Sequence, residues 1–193
     1  MNEKELILPS VELLEKELQR EQRRNRRRRV LRGTILTLLL LAAAGVIAAL
    51  LILPTYRVSG DAMSQTLKDG DVVIAFNNGK YNSGDVISFY SQNNISIKRV
   101  IAAAGDRVDI DAAGNVFVND RQLDEPYVSE KALGYCNIDL PCQVPDGSCF
   151  VMGDHRAASV DSRNSGVGFI SNEMVVGRLL FRVWPFERIG IVR

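Results

Sequence analysis

The chain is poor in the side chains from which most reactive centres are built. Its 193 residues hold one histidine, His155, and three cysteines, Cys136, Cys142 and Cys149. No two cysteines form a C-x-x-C pair, no H-E-x-x-H sequence is present, and no other set of ligands has metal-site spacing, so neither a metal nor a cofactor is expected. Phosphate loops and dinucleotide fingerprints are absent as well. A Ser-His-Asp triad would have to rest on His155, and a lone histidine in a polar loop is more often simply exposed. There is no internal repeat and no low-complexity tract beyond one run of arginines.

Charge is nearly balanced overall, at +1, but unevenly placed. Residues 1–33 carry ten Lys or Arg against six Glu, a net of +4, and the remainder carries fourteen against seventeen acids, a net of −3. Such asymmetry points one end at an anionic surface. Ser10 is placed to cap a helix that carries Val11, Leu14 and Leu18 at three- and four-residue spacing. Eight arginines follow between Arg20 and Arg32, and at once an uncharged apolar run from Ile35 to Leu53. Nineteen residues at about 1.5 Å each nearly match a hydrocarbon core of roughly 30 Å. The arginines are therefore read as topology-determining charge rather than as a nucleic-acid site. The expected layout is a cytoplasmic basic amphipathic segment over 1–33, an uncleaved signal-anchor helix over 34–56 and an extracytoplasmic domain over 57–193, in a single-pass plasma-membrane protein.

The third segment reads as short strands. Val72–Phe76, Val86–Tyr90, Ile95–Ala103, Val108–Ile110, Val116–Val118, Ser148–Met152 and Val175–Val183 are separated by turn sequences such as Ala113-Gly114-Asn115. Regular short strands of this kind predict a mainly β fold, an antiparallel barrel-like domain behind one transmembrane helix.

With histidine and cysteine set aside, lysine is the remaining base. Lys98 lies in Ile95-Ser96-Ile97-Lys98-Arg99-Val100-Ile101. An amine held among apolar side chains loses solvation for its charged form and becomes able to deprotonate a serine. From spacing alone, a surface lysine paired with an acid is the preferred reading.

Four blocks, in order behind the apolar run, change that preference. They are Gly60-Asp61-Ala62-Met63-Ser64-Gln65-Thr66-Leu67 with Gly70-Asp71; Gly84-Asp85-Val86-Ile87; Lys98-Arg99-Val100-Ile101 with Gly105-Asp106; and Gly153-Asp154-His155-Arg156-Ala157-Ala158-Ser159-Val160-Asp161-Ser162-Arg163. Over about Arg57 to Phe186 the chain resembles the type I signal peptidases, membrane-bound serine endopeptidases with a Ser–Lys dyad. The resemblance implies that Lys98 is the general base and that Ser159 orients it. It implies an oxyanion contact from the backbone of Ala62 with Gly60 beside it, and a site shaped by Gly153, Asp154, Arg156, Asp161 and Arg163. Met63 and Leu67 are assigned either to a substrate pocket or to the core. The implied substrates are signal peptides of secreted preproteins, cut at Ala-x-Ala sites. The implied partners are those peptides and the lipid bilayer, with no nucleic acid; the oligomeric state is open. In this resemblance Cys136 and Cys142 are expected to form a disulfide, with three free thiols as the alternative, and Cys149 is a buried thiol, while Trp184-Pro185-Phe186 lies either at the membrane interface or in the core.

The chain departs from the family pattern at several places. Gln65 stands where Pro is usual, His155 where Asn is usual, and Ala102-Ala103-Ala104 replaces a common Gly-x-Pro. Above all, Ala62 stands where the family has its nucleophilic serine. Ser59 and Ser64 are too displaced to substitute without moving the loop by several ångströms, where catalytic groups tolerate about 0.5 Å. The expectation is a signal peptidase I that is inactive as written. The alternative is a naturally non-catalytic relative acting as an assembly or chaperone-like factor at the membrane surface.

Overall fold

The structure is a computed structural model and describes residues 11–52, 54–77, 79–91 and 94–192. It divides into two units at Ile52/Leu53. The first is one unbroken helix, α1 (Val11–Ile52). The segment Arg20–Ala48 is long and apolar enough to cross a membrane. The predicted cap Ser10 and the end of the predicted span at Leu53 lie outside the described residues.

The second unit is antiparallel β. Its strands are β1 (Thr55–Arg57), β2 (Val72–Phe76), β3 (Val86–Ser91), β4 (Asn94–Ala102), β5 (Arg107–Ile110), β6 (Val116–Val118), β7 (Arg121–Gln122), β8 (Cys142–Gln143), β9 (Ser148–Met152), β10 (Ile170–Ser171), β11 (Val175–Trp184) and β12 (Gly190–Ile191). The larger sheet runs β1-β2-β11-β3-β4-β9-β10, with β12 added to β11; a four-stranded sheet runs β7-β6-β5-β8. Thr55 and Tyr56, which the sequence assigns to the end of the anchor, pair with Ile74 and Val73 and open the β unit together with Arg57.

Three apolar clusters form the core, as alternation along strands requires. One gathers Ile101, Val108, Val116, Phe150 and Met152 between the two sheets. A second packs Val58, Met63 and Leu67 against Val73, Ala75, Val86 and Leu179. Leu67 (0% exposed) is therefore a core residue rather than part of a substrate pocket. At the end of β11, Trp184 and Phe186 are 50% and 69% exposed and meet edge-on at 4.8 Å, so neither is in the core.

The implied Cys136–Cys142 disulfide is not formed. Both are half-buried free thiols, Cys142 packed against the inter-sheet core from β8, and Cys149 is buried.

Candidate active site

The site is built on two loops and one strand. The first loop, residues 58–71, closes on itself: Val58 donates to the Asp71 carbonyl at 2.8 Å and Gly70 donates to the Val58 carbonyl at 2.9 Å. Asp71 is buried, accepting from Arg188 Nη2 at 2.7 Å and from the Lys68 amide at 3.0 Å. Gly60 takes φ +82°, a left-handed conformation that favours glycine, and its N–H donates to Asp69 Oδ1 at 2.9 Å. That amide is engaged, so the role the geometry gives Gly60 is to turn the chain. Met63 and Leu67 pin the loop to the core below.

The second loop follows β9. Gly153 enters it at a place where no side chain fits: a Cβ there would lie 2.3 Å from Ser159 Oγ and 2.5 Å from the Ala62 carbonyl oxygen. The His155 amide donates to that same carbonyl at 3.0 Å, and the His155 carbonyl accepts from Ser159 N at 3.0 Å. His155 Nδ1 lies 3.3 Å from Ser64 Oγ and 3.3 Å from the Asp61 carbonyl. Ala62, Gly153 and Ser159 are thus brought together from positions more than ninety residues apart.

Lys98, on β4, enters from the side. It pairs with Ile87 of β3, while β9 joins β4 only from Arg99 onward. Lys98 and Ala62 line one cleft of about 120 Å³, together with Gly60, Met63, Ser96 and Ile97. Lys98 is 8% exposed. Burial pushes its ammonium below the ordinary 10.5; Asp161 opposes this, Arg163 adds to it and Asp154 opposes it. Desolvation prevails because the nearby carboxylates already have cations of their own. Asp154 accepts from Arg99 Nε at 2.8 Å and Nη2 at 2.6 Å, and from Thr66 Oγ1 at 2.5 Å. Asp161 accepts from Arg163 Nε and Nη2, each at 2.8 Å, and from the Gly153 amide at 2.9 Å. A carboxylate shared between two fixed donors has little left to offer a third cation.

A third buried pair was not visible in the sequence. Arg156 is held by Glu125, both side chains fully buried, with Nη1 to Oε2 at 3.1 Å, while its Nε donates to the Gly153 carbonyl at 3.2 Å. Glu125 belongs to the irregular segment between β7 and β8. In that segment Tyr127 lies under the Arg99 guanidinium at 3.9 Å, and the Leu133 carbonyl accepts from Arg163 at 2.6 Å. Gln65 also reaches it, accepting from Ser129 N at 2.7 Å. Each buried arginine of the site is therefore braced by this strap. Its only signal in the sequence was a glutamate beside a proline.

One polar atom is left over. Among the described residues Ser159 Oγ has no hydrogen-bond partner although it is buried, which is unusual for a buried hydroxyl. Among the described residues no group of His, Cys, Asp and Glu could hold a metal ion.

Fold and site define a β-domain peptidase architecture behind a membrane-length helix, with an amine and a small-residue loop sharing one cleft. The signal peptidase, peptidase S26 family model matches residues 29–184, and the chain belongs to that family of serine peptidases. It is 33% identical over 156 residues to signal peptidase IB of Staphylococcus aureus, covering 70% of this chain and 80% of that one. It is 34% identical over 147 residues to signal peptidase I of Bacillus licheniformis, covering 69% and 78%. A crystal structure of a signal peptidase I from Enterococcus faecalis V583 shares 28% identity over 52% of this chain and 97% of that one, with a TM-score of 0.42.

Proposed function

We propose that this protein is a signal peptidase I whose chemistry requires a hydroxyl at position 62 and is switched off by Ala62. Its substrates are signal peptides of exported preproteins, cut after an Ala-x-Ala-type sequence. The observation that carries this reading is the single cleft shared by Ala62 and the desolvated Lys98.

In the form carrying Ala62→Ser, the new hydroxyl attacks the scissile carbonyl while neutral Lys98 takes its proton. The residue 62 amide stabilises the oxyanion. Lys98 then passes its proton to the leaving amine and activates the water that hydrolyses the acyl-enzyme. Ser159, whose buried hydroxyl has no hydrogen-bond partner among the described residues, is the group left free to orient Lys98. Asp154, Asp161, Arg156 and Arg163 hold the loop rather than touch the reaction. The substrate lies extended beside β4, whose Ser96–Lys98 stretch has β3 on one side and no strand on the other among the described residues. The charge asymmetry supports an orientation with the arginine-rich end in the cytoplasm and the β unit outside. Without a nucleophile the rate falls by roughly 10⁶ in comparable serine-protease deletions.

A second reading, a naturally non-catalytic relative that holds signal peptides, is favoured by Gln65. It replaces the usual Pro and is hydrogen-bonded to Ser129. The test is cleavage of an Ala-x-Ala preprotein by the full chain carrying Ala62→Ser. Cleavage that is lost on adding Lys98→Ala supports the enzyme. No cleavage in detergent or in lipid, with the peptide still bound by the parent chain, favours the holding function.

A further inference from the structure

The arginines ahead of the apolar run have a geometry that topology signalling does not need. Arg26, Arg27, Arg28 and Arg29 are consecutive in α1, and Arg32 follows one turn later. Successive helical residues point about 100° apart, so four in a row face four directions within about 6 Å of helix. All five are exposed, and no ion-pair or hydrogen-bond partner exists for them among the described residues. Between Arg20 and Arg32 the only acid is Glu21. The result is a closed cationic collar whose like charges repel one another.

The shape of the collar selects its partner. A protein groove or a nucleic-acid strand meets a helix on one side and would leave half of these arginines facing water. Lipid headgroups surround a helix that crosses their layer. The collar ends three residues before Ile35, where the uncharged run starts, so Arg26–Arg32 stand about 5–14 Å above it, at headgroup depth. One flank also has the amphiphilic character of a single lipid. An open groove of about 740 Å³ is lined by Arg23, Arg26 and Arg27 at one end and by Val30, Leu31 and Thr34 at the other. That order, cationic and then mostly apolar, matches the order of a phosphodiester and the start of an acyl chain.

We infer that the Arg26–Arg32 collar binds an annulus of anionic glycerophospholipids, each phosphodiester held by guanidinium groups. This rests on α1 crossing the bilayer, and it is independent of any chemistry at position 62. A basic residue near an anionic membrane surface contributes enough for about a fivefold preference.

The test uses the full chain reconstituted in phosphatidylcholine bilayers with up to 40% phosphatidylglycerol. Spin-labelled analogues of the two lipids report their relative association with the protein. The expected result is at least a fivefold preference for the phosphatidylglycerol label at low salt. It should shrink in 1 M NaCl, where the Debye length falls to about 3 Å. Replacing the five collar arginines by Gln should abolish the preference, replacing them by Lys should retain most of it, and Arg20 and Arg24 to Gln should leave the greater part. Equal association of both labels, or a preference that survives the five-Gln change, overturns the collar. A preference erased by equimolar soluble polyphosphate or RNA makes it a general polyanion site and overturns the lipid assignment. A chain that fails to float with the vesicles overturns the membrane span itself, a result distinct from the others.

Discussion

Gly153 and Ser159 approach so closely that a methyl group on the first would lie 2.3 Å from the hydroxyl of the second. The same methyl would meet the Ala62 carbonyl at 2.5 Å. Three loci of the site, the Ala62 carbonyl, the turn after β9 and the orphan hydroxyl, thus converge on one hydrogen atom of a glycine.

Gly153→Ala is expected to lower stability by about 1–3 kcal/mol, the usual effect of overpacking a tight interior. Thermal unfolding of the full chain in detergent checks this. The backbone contacts on both sides belong to tight loops, so little relaxation is available. An unchanged unfolding temperature would mean that the two loops are farther apart than described.

The protonation of Lys98 sets a pH dependence. Desolvation, the largest influence, favours the neutral amine. The base is needed neutral, so cleavage by the Ala62→Ser form should rise with pH, with a midpoint below the ordinary 10.5. The same shift makes the unfolded chain hold the proton over a range where the folded chain has released it. Fold stability should therefore increase with pH between the folded midpoint and 10.5. A rate profile with its midpoint at or above 10.5 would refute the desolvated-amine description.

Among the described residues Glu125 is the one carboxylate paired with the Arg156 guanidinium, and both side chains are fully buried. Glu125→Leu leaves that cation without a counter-charge and should destabilise the protein by about 3–5 kcal/mol. Adding Arg156→Met removes the stranded charge and should recover most of the loss. Denaturant titration of the single and double variants measures both. Additive losses would show that the two residues do not act as a pair.

Burial pushes the Cys149 thiol up to about 11, with the Tyr81 hydroxyl partly offsetting it. At pH 8 almost none of it is thiolate, the species that alkylates. Mass spectrometry after iodoacetamide should find Cys136 and Cys142 labelled in the native chain and Cys149 only after denaturation. Failure of Cys136 and Cys142 to label without reductant would indicate the bridge that the resemblance implied.

Much of the fold was legible because alternation and turn residues act locally. Val72–Phe76, Val116–Val118 and Ser148–Met152 form strands with the bounds their apolar runs suggested. The strands β1, β7, β8, β10 and β12 were not legible: each is two or three residues with no apolar run such as marks Val116–Val118, and is created by its partner. The same distinction separates Leu67 from the cleft: its chemistry suits either place, and only packing assigned it to the core.

The sequence by itself determined which groups are present: an alanine at position 62, a lysine in an apolar stretch, and five collar arginines ahead of an apolar run. These are matters of covalent identity and local spacing. The tertiary structure decided what the charges do. Burial lowers the Lys98 amine below its ordinary 10.5, and Asp161 and Asp154, which oppose this, are already held by Arg163 and Arg99. Arg156 is stable in the interior because Glu125 meets it from 31 positions away. Both outcomes depend on distances across the fold and on the exclusion of water, neither of which is a property of any local stretch of chain.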